Sequence, residues 1–191
     1  QTKCTRINYD EPLAIRDIKR FVVEWHNKHY QEPDIRVEKS NDKKVSIIGA
    51  GPTGLSCAYF LRQAGFDVDV FESKSRAGGM VSWVIPKFRI TDKNVDMDVD
   101  VIEKLGVNIH YNHKINQEYF EKLRSESDYV VIAAGAQEIP QLMIEGAEAE
   151  GVIQPLAFLA EAKSGNIHNF GKHIAVIGGG NTAMDIARTA F

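Results

Sequence analysis

From residue 44 onward, short apolar runs alternate with segments whose apolar residues recur at helical spacing. Residues 45–48, 67–71, 107–111, 129–133 and 174–177 are brief and rich in β-branched or aromatic side chains, which predicts strands. Between them, residues 52–64, 95–105, 117–123 and 155–163 have the spacing of helices, and a further helix begins near Asn181. Gly65 and Gly106 stand just past the first two, where a left-handed residue stops a helix. Strands and helices in alternation predict an α/β fold, a Rossmann-like doubly wound parallel sheet.

Residues 1–42 have another character. Asp10 is placed to cap a helix opened by Glu11 and Pro12, and Ile15, Ile18, Val22 and Trp25 give that helix one apolar face. The surrounding stretch is polar and lacks glycine, so the helix needs a partner surface. Residues 31–44, with Pro33 and many charges, read as a connector. The expected organisation is a helical segment over 1–42, an incomplete nucleotide-binding domain over 43–170, and the truncated start of a second over 171–191. Gln1 in place of Met, and Phe191 inside a helical pattern, suggest a piece of a longer protein.

The strongest chemical signal lies where the first strand meets the first helix, in Gly49-Ala-Gly51-Pro52-Thr53-Gly54. Gly49 allows a tight turn, Gly51 lets the backbone approach a pyrophosphate, and Gly54 permits close packing of helix on strand. The helix start then offers free N–H groups and partial positive charge to phosphates. An acid about 20 residues further on should meet the adenosine ribose, and Glu72, followed by Ser73, ends the second strand. A carboxylate there disfavours a 2′-phosphate, so FAD or NAD fits better than NADP. A turn without ligand would not need the acid.

The pattern returns at Gly178-Gly-Gly180-Asn181-Thr182-Ala183, with Ala183 in the third position. Alone it is a weaker signal than the first, with a simple structural turn as the alternative. Two such motifs in one chain are what a two-nucleotide oxidoreductase requires.

Composition narrows the field. The 191 residues hold 43% hydrophobic and 26% charged positions, enough for a core without disulfide or metal support. The 23 basic against 26 acidic residues argue against a nucleic-acid partner. Residues 45–61 are uncharged, but they contain Gly49, Gly51, Pro52 and Gly54 and are too short to span a bilayer, so no membrane role is expected. Two cysteines, Cys4 and Cys57, suggest a reducing cytoplasm, and Cys57 reads as a small buried hydrophobe on the first helix. The six histidines form no zinc set; His110 and His113 read as a surface pair.

These motifs, together with 76–80 (Arg-Ala-Gly-Gly-Met), 85–89 (Ile-Pro-Lys-Phe-Arg), 133–135 (Ala-Ala-Gly) and 178–185, follow one family in order. The chain resembles the small (beta) subunit of NADPH-dependent glutamate synthase and its FAD/NAD(P)H oxidoreductase relatives. Cys4-Thr-Arg, 13–16 and 155–159 look most like a selenate reductase flavoprotein subunit within that family. The resemblance implies FAD at the first motif, NADPH or NADH at the second, and an iron–sulfur cluster in the full-length protein. It further implies that residues 1–42 end an iron–sulfur-type domain, with Cys4 matching the last cluster cysteine. Gly78, Gly79 and Met80 would continue along the FAD, and Ile85 to Arg89 would lie near the flavin ring. Ala134 and Gly135 would turn the chain toward the second domain, whose Gly178, Gly180 and Ala183 receive the nicotinamide dinucleotide.

Such an enzyme needs no side-chain acid or base, so no catalytic residue is expected: the protein places the cofactors and tunes their electrostatics. Lys87 and Arg89 either add positive charge near the ring or form a solvated loop. The implied function is to pass electrons from NAD(P)H through FAD to iron–sulfur centres or a partner subunit. Two rivals stand beside it, a flavin oxidase using only the first site and a non-catalytic assembly module. By itself the fragment is expected to bind FAD weakly and to be inactive.

Overall fold

Four of the five expected strands form, and they pair in parallel because helices carry the chain back between them. The computed structural model describes residues 3–29, 35–139, 143–166 and 171–191. Residues 31–34 of the expected connector, and His168, lie outside the described residues. The chain divides into two units, Gln1–Ile35 and Arg36–Phe191.

In the first unit a 3₁₀ turn, Thr5–Asn8, precedes helix α1, Ile15–His29. The helix does not begin at Glu11 under an Asp10 cap. Arg6 takes both oxygens of Asp10, with Nε and Nη2 each at 2.7 Å, and α1 starts only at Ile15. No residue of α1 is buried, and Ile18, Val22 and Trp25 remain about half exposed.

The second unit holds β1 (Lys44–Ile48), α2 (Pro52–Gln63), β2 (Asp67–Phe71), α3 (Met80–Trp83), α4 (Asp92–Lys104), β3 (Asn108–His110), α5 (Gln117–Glu126), β4 (Tyr129–Ile132), α6 (Pro155–Ser164) and α7 (Asn181–Ala190). The sheet order is β3-β2-β1-β4. Register places Val45 beside Val68 and Ile47 beside Val70, so four branched side chains share one face. They pack against Leu55 and Ala58 of α2 and Val95, Val99 and Ile102 of α4.

Polar residues on the opposite face are paired. Ser46 Oγ meets Ser127 Oγ at 2.7 Å, and Asp69 accepts from Lys44 Nζ at 2.9 Å and His110 Nε2 at 3.0 Å. Burial works to raise the Asp69 carboxyl, but the hydrogen bonds from Lys44 and His110 hold it below its ordinary value. His110 also stacks on Phe71, while His113 lies against the Tyr119 ring.

The fifth expected strand, 174–177, does not form. A ladder needs a neighbour to take its N–H and C=O groups, and among the described residues no strand lies beside it. Ile177 is accordingly 71% exposed. The helix after it, α7, nevertheless packs on α6, with Ile186 and Ala190 against Phe158 and Leu159.

Candidate dinucleotide-binding site

The chain leaves β1 toward β2 and β3, then returns to β1's other side as β4. This reversal opens a crevice at the carboxyl ends of β1 and β4, where doubly wound sheets take their ligands. A cavity of about 550 Å³ lies there, walled by the ends of β1, β2 and β4, the start of α2, α3, the loop after β3 and one side of α6.

At its floor Gly49 has φ +104°, and a Cβ there would stand 2.5 Å from the Ala133 carbonyl oxygen. Only glycine lets β1 turn so close to the end of β4. Gly54 meets the same turn from the helix side, where a Cβ would come 1.9 Å from the Gly49 oxygen. Gly51 differs, since its nearest neighbour would be Gly79 Cα at 3.8 Å, an ordinary contact. The protein itself does not demand a glycine at 51; the empty side leaves room for a ligand.

Gly51 is also the N-cap of α2, with no side-chain cap, and Pro52 follows at the first helical position. The N–H groups of that first turn are thus open to an anion from the cavity.

Glu72 holds this loop in place. Its Oε2 accepts the Ala50 N–H at 2.9 Å and its Oε1 accepts the Lys74 N–H at 2.9 Å. The Gly78 N–H donates to the Ala50 oxygen at 2.7 Å, so the residue between the two glycines is gripped on both sides.

Of the residues singled out by sequence, Gly49, Gly51, Pro52, Thr53, Glu72, Ser73, Gly79, Met80, Ala134 and Gly135 line the cavity. Gly54 and Gly78 stand behind the lining and pack the turn. Ile85 and Arg89 lie away from it. Arg89 Nε donates to Asp185 of α7, and Lys87 Nζ lies 3.5 Å from Asp92. Gly178, Gly180, Asn181, Thr182 and Ala183 form a separate turn, with Gly178 at φ +124°, Gly180 as N-cap of α7 and Ala183 buried.

Several lining residues carry no motif. Lys74 stands 4.9 Å over the Trp83 ring, His113 and Lys114 close the end near Glu72, and Gln137 follows the β4 turn. Leu156, Ala157 and Ala160 present a small apolar face of α6; their spacing was a signal of a close approach. Lys163, one turn further, donates to the Val81 and Ile85 carbonyls, each at 2.7 Å, and burial lowers its pKa.

Both cysteines are free. Backbone N–H groups of Leu13 and Arg6 hold the Cys4 thiol below its usual value, while burial raises that of Cys57. A cluster takes four thiolates, so the residues of this chain do not by themselves make an iron–sulfur site. Among the described residues no group of three potential metal ligands occurs, and no helix is long and apolar enough to cross a membrane.

Comparison with known proteins agrees with this architecture. The chain is 34% identical over its full length to the NADPH-Fe(3+) oxidoreductase subunit beta of Geobacter sulfurreducens, of which it spans 29%. It is 33% identical over 98% of its length to the glutamate synthase [NADPH] small chain of Bacillus subtilis, of which it spans 40%. The resemblance to the glutamate synthase small subunit therefore holds. In fold, 76% of the chain matches 36% of Mycobacterium tuberculosis FprA, solved in complex with NADPH, with a TM-score of 0.66 and 24% identity. Residues 43–191 match the model of the pyridine nucleotide-disulphide oxidoreductases, and the chain belongs to that family.

Proposed function

We propose that this chain is the dinucleotide-binding part of an NAD(P)H-dependent flavoprotein oxidoreductase that feeds electrons to iron–sulfur centres or a partner subunit. The observation that carries the reading is the cavity floor, where Gly51 and Gly79 face each other beside an uncapped helix start. A side chain on Gly79 would stand 2.8 Å from Gly51 Cα, so the two backbones pack directly together and the cavity runs beside them as a slot along the start of α2. A dinucleotide pyrophosphate fits that slot.

In this reading Gly49, Gly51, Pro52 and Thr53 hold the FAD pyrophosphate against α2, with Gly54 packing the turn behind them. Glu72, whose Oε1 accepts from both the Lys74 N–H and the Ser73 hydroxyl and whose Oε2 accepts the Ala50 N–H, directs the remaining lone pair of Oε2 to the adenosine ribose. Gly79 and Met80 follow the cofactor along the cavity with Gly78 packed behind them, and Ala134 and Gly135 border it at the end of β4. Gly178, Gly180, Asn181, Thr182 and Ala183 take the nicotinamide dinucleotide. Bound flavin supplies the redox chemistry, accepting a hydride and releasing electrons singly. The chain's residues bind and orient.

The relatives' names support the outline, since both specify NADPH and one a subunit, the other a small chain. Cys4 is the residue through which this chain would contribute to a cluster completed by cysteines outside it. Two free thiols suit a reducing cytoplasm.

The test is anaerobic addition of NADPH or NADH to the FAD-loaded full-length protein. Loss of the visible flavin band supports the reading and identifies the donor. A flavin that stays oxidised with both donors refutes it.

A further inference from the structure

The segment after α3, which follows the cavity-lining Trp83 and Val84, is fastened by three helices. Lys163 of α6, its side chain 6% exposed, binds the Val81 and Ile85 carbonyls, and Lys87 faces Asp92 of α4. From α7 come two contacts: Asp185 accepts from Arg89 Nε, and the Arg188 guanidinium lies 4.0 Å from the centroid of the Phe88 ring.

Asp185 is the costly member of the ion pair. Its side chain is 12% exposed, while the Arg89 side chain keeps 41% of its surface in solvent. A carboxylate so buried is unfavourable without a cation, and a neutral side chain there would serve the helix equally well. The apolar contact between α6 and α7 already holds the helix to the fold. What the pair adds is direction, because it joins α7, which starts at the second glycine turn, to the loop that follows the cavity-lining residues Trp83 and Val84.

We propose that Arg89 and Asp185 are positioning residues that keep the second dinucleotide site in register with the flavin cavity. The inference rests on the function proposed above. In the step they serve, the C4–H bond of the nicotinamide breaks with both its electrons and the hydride bonds to flavin N5. The nicotinamide is oxidised and the flavin reduced, each by two electrons. Neither side chain exchanges a proton.

The experiment uses Arg89→Gln, Asp185→Asn, the double variant and Arg89→Lys in the FAD-loaded full-length protein. Three quantities are read: FAD content, the change in the oxidised flavin spectrum on adding NADP+ or NAD+, and the rate of anaerobic flavin reduction at saturating NADPH or NADH. FAD content should stay at the parent level. The spectral change should shrink or vanish in each single variant, and reduction should slow on the order of tenfold or more, as small misplacement of reacting groups does. The double variant should be no slower than the slower single one, and Arg89→Lys should recover part of the rate.

A pair that only stabilised the fold would lower the melting temperature and leave both the spectral change and the saturated rate intact. That result in Arg89→Gln, the more exposed partner, overturns the proposal, as does loss of FAD from it. A parent protein reduced by neither donor removes the underlying reading, and the pair with it.

Discussion

The Glu72 carboxylate accepts the Ala50 N–H at 2.9 Å, tying the end of β2 to the turn after β1. The acid at this position thus has work to do before any ribose arrives. It fixes the peptide between the two glycines, and through Lys74 N–H it also fixes the turn that follows β2. A loop already held in this way needs less ordering when a pyrophosphate binds.

Replacing Glu72 by Ala should therefore destabilise the protein without any ligand. Two N–H groups lose their acceptor, and each orphaned buried group costs about 1–3 kcal/mol. Urea unfolding of the FAD-free protein should show a loss of about 2 kcal/mol or more, and less for Glu72→Gln, which keeps one oxygen. Unchanged stability in Glu72→Ala would show that the carboxylate does not hold the loop.

Gly51 and Gly54 should separate binding from folding. A methyl on Gly54 runs into the Gly49 carbonyl at 1.9 Å, so Gly54→Ala should cost about 2 kcal/mol or more. At Gly51 the nearest atom is 3.8 Å away, and Gly51→Ala should stay within about 1 kcal/mol of the parent. Its FAD affinity should nevertheless fall about tenfold or more, because the methyl occupies the phosphate's approach. Thermal melts with and without FAD check both; a folded Gly51→Ala with parent affinity would move the phosphate elsewhere.

Acid should weaken the fold through Asp69 and Asp92. Hydrogen bonds from Lys44 and His110 hold Asp69 down against its burial, and Arg76 holds Asp92 down. A carboxyl with a lower pKa folded than unfolded adds stability that is complete above the unfolded value of about 3.9 and is lost as pH falls through the folded value. The contribution of these two groups should be flat above about pH 5 and decline below about pH 4. Asp69→Asn should be less stable near neutrality and lose less on acidification. An acid limb as steep as the parent's would contradict the assignment.

Much of this site is legible in the chain because it depends on local geometry. The turn at Gly49, the uncapped start of α2 and the acid at Glu72 all follow from a strand, a tight turn and a helix in sequence order. Other parts depend on distant partners. The four residues of α3 are too few to show a period, and the helix follows two glycines with positive φ, Gly78 and Gly79. Residues 174–177 have the composition of a strand but no neighbour to pair with among the described residues. Asp10 has the chemistry of a cap, yet Arg6 engages it. Lys163 sits near a helix end, where the pattern suggests a solvated cation, and only the fold brings the Val81 and Ile85 carbonyls to it. Arg89 reads from the sequence as either charge near the flavin ring or part of a solvated loop, and only the fold brings it a carboxylate from α7.

The central claim is that the crevice between β1 and β4 holds a flavin dinucleotide. Its most direct test is a fluorescence titration of FAD into the purified protein, run in parallel on Gly51→Val, with circular dichroism to confirm that both are folded. The account predicts saturable quenching with one FAD per chain in the parent and none in Gly51→Val. Equal binding by both, or no saturable binding by the parent, would contradict it.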